Sequence, residues 1–363
     1  MEEGKTECSR CLFDSSFAKI MPGGDCEYCR LHNQLETQGG YDDLHVILNK
    51  IKRKGKRKKY DCLIGISGGL DSSTLLYAAV SEWGLRPLVI HFDNGWNTPQ
   101  AESNMKNMVD GLGVDLIRYS VNKHEYDELN WAFLESGVPD CDIPNDIAMT
   151  KLMYSTAHKY GIKYILNGHC FRTEGSTPRD WTYMDARYIR SVYETMTRKK
   201  LVSYPLFTFK DQLLYALKGI KQVRPFHYIE HRANTENAMK ELIEWHDYGA
   251  KHAENVYTEF IGSWWLPNKF GIDKRIVYLS AKVRSGYISK EYAKTTMQEL
   301  PSFDLNRLGA GSATGVTEIF NHYPNRPRTD YERYNFRKYK LLIWLLMKMK
   351  VVPRTFFRKY ACK

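Results

Sequence analysis

Four short apolar runs mark the first half of the chain, at residues 60–66, 86–92, 114–121 and 163–167, each followed by a longer stretch of mixed polarity. Runs this short, apolar on successive residues, fit strands buried on both faces. The stretches between them, 74–83, 100–112, 124–135 and 146–160, have helical length and spacing. Strand–helix alternation predicts an α/β fold built on a doubly wound parallel sheet. Ligands of such sheets sit beyond the carboxyl ends of the strands. The Ser67 loop, the Asp93 loop and the Gly168 turn all fall at that edge and are expected to converge on one site. The division read from the pattern is a head over 1–40, a basic linker helix over 41–59, a nucleotide-binding domain over 60–208 and a mainly helical domain over 209–363. Residues 309–315, with three Gly in seven residues, read as a flexible loop.

Charge changes this picture little. The chain of 363 residues carries a formal +11, but residues 326–363 hold twelve Lys/Arg against two acids, and residues 50–59 hold eight more cations. What remains sums to −7 (11 − 10 − 8), so the body is mildly acidic and no broad nucleic-acid surface is implied. A membrane span needs about 18 apolar residues or more. The run 341–347 is fenced by Lys340 and Lys348, and the first ten residues lack a signal-like apolar region, so a soluble, cytoplasmic protein is expected. The tail over 335–350 mixes an apolar stripe with a basic face. Packing on the helical domain is the expected use; a partner subunit or a membrane surface are the other two.

The head carries the first chemistry. Cys8, Cys11, Cys26 and Cys29 form C-x2-C-x14-C-x2-C, two pairs each able to fill two corners of a tetrahedron around Zn2+. A closed four-thiolate set leaves no open position, which argues for a structural metal, with an iron–sulfur cluster as the lesser alternative.

The second motif follows the first strand. Ser67, Gly68, Gly69, Leu70, Asp71, Ser72 and Ser73 sit between strand and helix, where glycine lets the backbone close on an anion and the helix N-terminus favours negative charge. The Walker pattern is absent. SGGxDS resembles the PP-loop of the ATP pyrophosphatases, which include GMP synthetase, asparagine synthetase and the tRNA-thiolating enzymes.

Further blocks narrow the resemblance: FDNGWN with Asn104, VPDCDIPND, Thr173-Glu174-Gly175 with Pro178 and Trp181, the stretch 247–252, the stretch 266–275, and Ser285-Gly286-Tyr287-Ile288 with Lys290 and Glu291. Together with the cysteine pairs these resemble the N-acetyl sugar amidotransferases of bacterial surface-polysaccharide biosynthesis, over most of the chain. The resemblance implies a PP-loop sheet of the adenine nucleotide alpha hydrolase type, ATP and Mg2+, and conversion of a sugar acetamido group, on a nucleotide-linked or acidic sugar, into an acetamidino group. It implies ammonia from separate glutaminase and barrel subunits resembling those of imidazole glycerol phosphate synthase, within O-antigen or related glycan synthesis. No nucleic-acid partner is implied.

On that reading Ser67, Gly68, Gly69, Asp71, Ser72 and Ser73 cradle pyrophosphate, with Asp71 also near Mg2+, while Asp93 and Gly168 bound the nucleotide. Asp146, Glu174, Lys251 and His252 join Asp71 as catalytic candidates. Asp142, Thr173, Lys269 and Arg275, with Lys274 and Glu254 beside them, are candidates for the sugar. Asp146 has a plainer use as a helix cap, and His169 is as well read as a packed histidine as a phosphate ligand. The family pattern often has His after this Asp; here it is Ile147. The rival function is tRNA thiolation, which would need reactive cysteines by the nucleotide. Cys141 and Cys170 form no CxxC and read as buried thiols.

Overall fold

The computed structural model describes residues 5–37, 39–229, 233–249 and 251–362. The chain opens with the cysteine head and α1 (Glu27–Glu36), then α2 (Tyr41–Gly55). There follow β1 (Cys62–Gly65), α3 (Leu70–Tyr77), β2 (Pro87–Asp93), α4 (Pro99–Leu112), β3 (Asp115–Ser120), α5 (Lys123–Glu135), α6 (Ile143–Lys159) and β4 (Tyr164–Leu166). After α7 (Ala186–Thr197) and α8 (Phe209–Leu217) comes β5 (Lys221–Val223). The remainder is helical: α9 (Ala233–Ile243), α10 (Val256–Phe260), α11 (Leu266–Phe270), α12 (Arg275–Arg284), α13 (Lys290–Gln298), α14 (Ala310–His322), α15 (Lys340–Lys348) and α16 (Arg354–Tyr360).

The five strands form one parallel sheet in the order β3-β2-β1-β4-β5. This is the doubly wound α/β architecture expected, with the order reversing at β1, so that the crevice opens beside the loop that follows it. Cys62, Leu63 and Ile64 of β1 are fully buried, as are Leu88 and Val89 of β2, because helices cover both faces.

Three features differ from the sequence reading. The sheet continues past residue 208: β5 was not expected, its three residues being too polar and too few to stand out. The helix over 41–55 is more than a linker, since Leu44, Leu48 and Ile51 are buried in the core beneath α3 and its basic residues face outward. Residues 310–322 form α14 where a loop was expected. Its Gly315 lies against Trp131 of α5, where a Cβ would come within 3.0 Å of the indole, so this one glycine serves close packing. Among the described residues no helix is long and apolar enough to cross a membrane.

Candidate active site

β1 ends on its buried apolar run, and Ile66 N–H still bonds Ile90 C=O (2.9 Å) before the chain turns. The turn then holds itself. Ser67 Oγ accepts from Gly69 N–H (3.2 Å), while Ser72 Oγ accepts from Ser67 N–H (3.2 Å) and donates to Gly69 C=O (3.1 Å). Gly68 has φ +78°, and a Cβ there would sit 2.3 Å from the carbonyl oxygen of Ala101. Its own carbonyl accepts from Trp245 Nε1 (3.1 Å) and Asn104 Nδ2 (3.3 Å). Gly168 closes on the loop from the other side, a Cβ there meeting Asp71 C=O at 2.7 Å. The loop and the start of α3 thereby line a cleft of about 2700 Å³. That exceeds the roughly 300–1,000 Å³ typical of a single-ligand pocket, and leaves room for two substrates.

The structure separates the predicted loop residues into two groups. Ser67, Gly69, Asp71 and Ser72 line the cleft, whereas Gly68 and Ser73 do not. Gly68 serves the packing just described, and Ser73 is fully buried, its Oγ without a hydrogen-bond partner among the described residues. Gly168 lines the cleft, but the Asp93 side chain turns away to Arg118 (3.2 Å) and to Gly95 N–H (3.0 Å), leaving Phe92 and Asn94 at the lining.

Asp71, Glu174 and Lys251 meet at the mouth of the loop. Lys251 Nζ lies 3.1 Å from Glu174 Oε1 and 3.4 Å from Asp71 Oδ2. Burial, and then the Asp71 charge, push the Glu174 carboxyl up to about 7. His169 stands beside this group, 3.6 Å from Glu174. Burial, then Arg224 and His227, hold its pKa down to about 3, so it is a neutral imidazole. Its ring nitrogens are engaged by His227 and by the Gly175 carbonyl, each at 3.2 Å.

The second wall carries Asp142, Asp146, His252 and Lys274. Asp142 Oδ1 accepts from Asn145 Nδ2 (2.9 Å) and Thr258 Oγ1 (3.1 Å). Asp146 lies inside the first turn of α6, which begins at Ile143, so it does not cap that helix as the plainer reading had it. Its carboxyl is walled by protein yet open to the lumen; burial, then Asp142, push it up to about 7. His252 adopts φ +66°, a left-handed conformation uncommon for a side-chain-bearing residue. Burial, then Lys251 and Lys274, lower its pKa to about 4, so it too is neutral near pH 7. Thr173 lines the cleft with its Oγ1 buried and unpartnered among the described residues.

Two substrate candidates are otherwise engaged. Lys269 lies outside the cleft lining and donates to the carbonyls of Phe320 (2.7 Å) and Tyr323 (2.5 Å). Arg275 reaches the cleft wall, but its guanidinium is bound to Asp273 (2.7 Å) and to the Glu299 carbonyl (2.6 Å). Sequence reasoning passed over Tyr248, Arg224 and Lys282, all of which line the cleft. Tyr248 Oη accepts from Leu70 N–H (3.3 Å) at the head of α3, and Glu254 beside it keeps one buried carboxylate oxygen unpartnered among the described residues. The signal for Tyr248 was its place in the 247–252 block. Arg224 had none, because β5 itself was not legible.

The cysteines of the head form a separate centre. All four Sγ atoms lie within 4.8 Å of one another, with separations of 3.6 Å (Cys8–Cys29), 3.7 Å (Cys11–Cys26) and 3.6 Å (Cys26–Cys29). Zinc–sulfur bonds of about 2.3 Å in a tetrahedron place sulfurs roughly 3.8 Å apart, so the donor set fits a single ion and is too tight for a multi-iron cluster. Arg284 Nη2 stands 3.2 Å from Cys11 Sγ, Ser280 Oγ accepts from Leu12 N–H (3.2 Å), and Arg10 donates to Arg284 C=O (2.6 Å). The head is thus fastened to one face of α12. Residues at the helix start and on its other face, Lys274, Tyr278 and Lys282, line the cleft.

Cys141 and Cys170 are buried, and neither lines the cleft. Their thiols point at backbone carbonyls, Cys141 to Val138 (3.4 Å) and Cys170 to Phe226 (3.6 Å). Cys362 is exposed and lines the cleft, but among the described residues no second cysteine lines it beside Cys362.

Residues 254–348 match the family model for the C-terminal domain of LPS biosynthesis proteins of the WbpG-like kind, in agreement with the family resemblance read from the sequence. An uncharacterised protein of Methanocaldococcus jannaschii is 22% identical over 259 residues, 71% of this chain and 78% of its own length. Among solved structures, the U34-tRNA thiolase NcsA of Methanococcus maripaludis with its [4Fe-4S] cluster has 13% identity and a TM-score of 0.34, covering 90% of this chain and 99% of that one. The NMN synthetase of Francisella tularensis has 12% identity and a TM-score of 0.34, covering 85% and 98%.

Proposed function

We propose that this chain, whose C-terminal region is of the WbpG-like lipopolysaccharide-biosynthesis kind, is an ATP-dependent, AMP-forming amidotransferase acting on an N-acetylated sugar. The observation that carries the proposal is the meeting of Asp71, Glu174 and Lys251. A PP-loop carboxylate, a turn after β4 and the segment entering the helical domain share one ion cluster in a cleft with room for ATP and a sugar nucleotide.

The chemistry follows from what an amide lacks. Its carbonyl is a poor electrophile and its oxygen a poor leaving group. Attack of the acetamido oxygen on the α-phosphate expels pyrophosphate and gives an O-adenylyl imidate, with loss of the amide proton. Ammonia adds to the imidate carbon, and AMP departs carrying the original oxygen, leaving the amidine. The loop N–H groups and the Ser67 and Ser72 hydroxyls hold the departing pyrophosphate. Lys251, with Arg224 and Lys282 from flanking walls, offsets its charge, and Asp71 is the carboxylate beside the cradle for Mg2+ on ATP. His252 and Asp146, neutral or half-ionised near pH 7, are the groups suited to move protons at the attacking nitrogen. Cys8, Cys11, Cys26 and Cys29 would hold Zn2+, which would supply a fixed brace for α12. Ammonia comes, on this reading, from partner glutaminase and barrel subunits.

The test is incubation of the purified chain with ATP, Mg2+, ammonium and a panel of N-acetylated sugar nucleotides. AMP, pyrophosphate and a product lighter by one dalton are expected, and an ¹⁸O label on the acetamido carbonyl should appear in AMP. Formation of ADP, or AMP release indifferent to the sugar, would refute the mechanism.

A further inference from the structure

The tail does not bury its apolar stripe as the sequence pattern suggested. On α15, Ile343 is buried, and Leu346 and Met347 pack with Phe209, Phe336 and Phe356. The neighbouring face is bare: Leu341 is 71% exposed, Leu342 53%, Leu345 45% and Met349 70%, with Trp344 at 39%. On this segment Arg337, Lys338 and Lys340 precede the bare face, while Lys348, Lys350, Arg354 and Arg358 line the cleft; none of the seven is ion-paired with a described residue. From Arg333 to Lys363 the chain holds ten Lys/Arg and no Asp or Glu.

From this we infer that α15 and its flanks form a docking surface for an anionic lipid bilayer. The helix lies in the interface with Leu341, Leu342 and Leu345 among the acyl chains and Arg337, Lys338 and Lys340 among phosphate headgroups. Charge decides between occupants. A protein partner's interface is depleted of lysine at its core and carries mixed charges at its rim, whereas this patch offers one sign only, interleaved with Leu and Trp. The helix is nine residues long and cannot span, so the attachment is peripheral and reversible. The same segment is a lip of the cleft, Trp344, Lys348 and Arg354 being part of its lining, so attachment would set the cleft mouth at the membrane plane.

Flotation of the full chain with vesicles tests this. Binding to vesicles of phosphatidylcholine with phosphatidylglycerol is expected, with little binding to phosphatidylcholine alone and release as salt rises. The double variant Leu342→Glu/Leu345→Glu should weaken binding roughly tenfold or more, since it removes apolar contact and adds like charge to the lipid's. Lys338→Gln/Lys340→Gln should weaken it less and flatten its salt dependence. All four sites are on the surface, so thermal melting should be unchanged. No binding to the anionic vesicles at low salt overturns the proposal, as does binding that these variants leave intact. A patch that proves instead to hold a second copy or a partner subunit, with no lipid binding, overturns it equally. The outcome is independent of the AMP assay, which uses soluble substrates.

Discussion

Asp146 and Glu174 are two carboxyls that the fold holds near pH 7, each chiefly through burial and then through a neighbouring aspartate. Both pKa values are raised above those of the unfolded chain, so the folded state favours the protonated forms. The stability this contributes is present below the unfolded values, near pH 4, and is lost as pH rises through about 7. The melting temperature of the free protein should therefore fall between about pH 5 and pH 8. Glu174→Gln, at the more enclosed of the two carboxyls, should flatten that slope, as thermal melts across pH would record; an unchanged slope would contradict the burial argument. Gly68→Ala tests a different residue-scale claim. With φ +78° and a Cβ only 2.3 Å from a backbone oxygen, the substitution should cost at least about 2 kcal/mol in denaturant melts and displace the loop.

At the scale of elements, α12 joins the two chemical centres. Its Ser280 and Arg284 hold the cysteine head, and Lys274, Tyr278 and Lys282 face the cleft. Loss of a metal held by the head should therefore be felt at the cleft wall. Cys26→Ser is expected to lower the metal content found by elemental analysis to near none, and to destabilise the chain by several kcal/mol. A purely local head would leave exchange of the α12 amides unchanged; the packing seen here predicts faster exchange along that helix. α14 makes a related point about legibility. The three glycines of 309–315 carry local flexibility, yet the residues from Ala310 form a helix whose Gly315 packs on Trp131, a contact that no local pattern announces.

At the scale of the molecule, the cleft exists because the segment after α9 folds back over the loop at 67–73. Lys251 is 180 residues from Asp71 and 77 from Glu174 in sequence. Lys251→Met should reduce sugar-dependent AMP formation by roughly a hundredfold, the loss typical of removing one preorganised charge from a transition state. Because Glu174 would then lose the cation that holds it partly ionised, the pH profile should move upward, a shift that simple misfolding would not produce.

The strand–turn–helix around Ser67, the parallel sheet and the metal-binding cysteine pairs were all legible in the chain, because each is set by local spacing: a buried run, a glycine turn, two CxxC pairs. Asp71, Glu174, Lys251 and His252 were legible as candidates by residue type and motif, but their meeting was not. The separation of Gly68 and Ser73 from the cleft, the diversion of Lys269 and Arg275 to other partners, the entry of Arg224 and Tyr248, and the bare face of α15 were decided by packing alone. Burial and counter-charge depend on which distant segments close on one another, and local sequence periodicity carries no record of that.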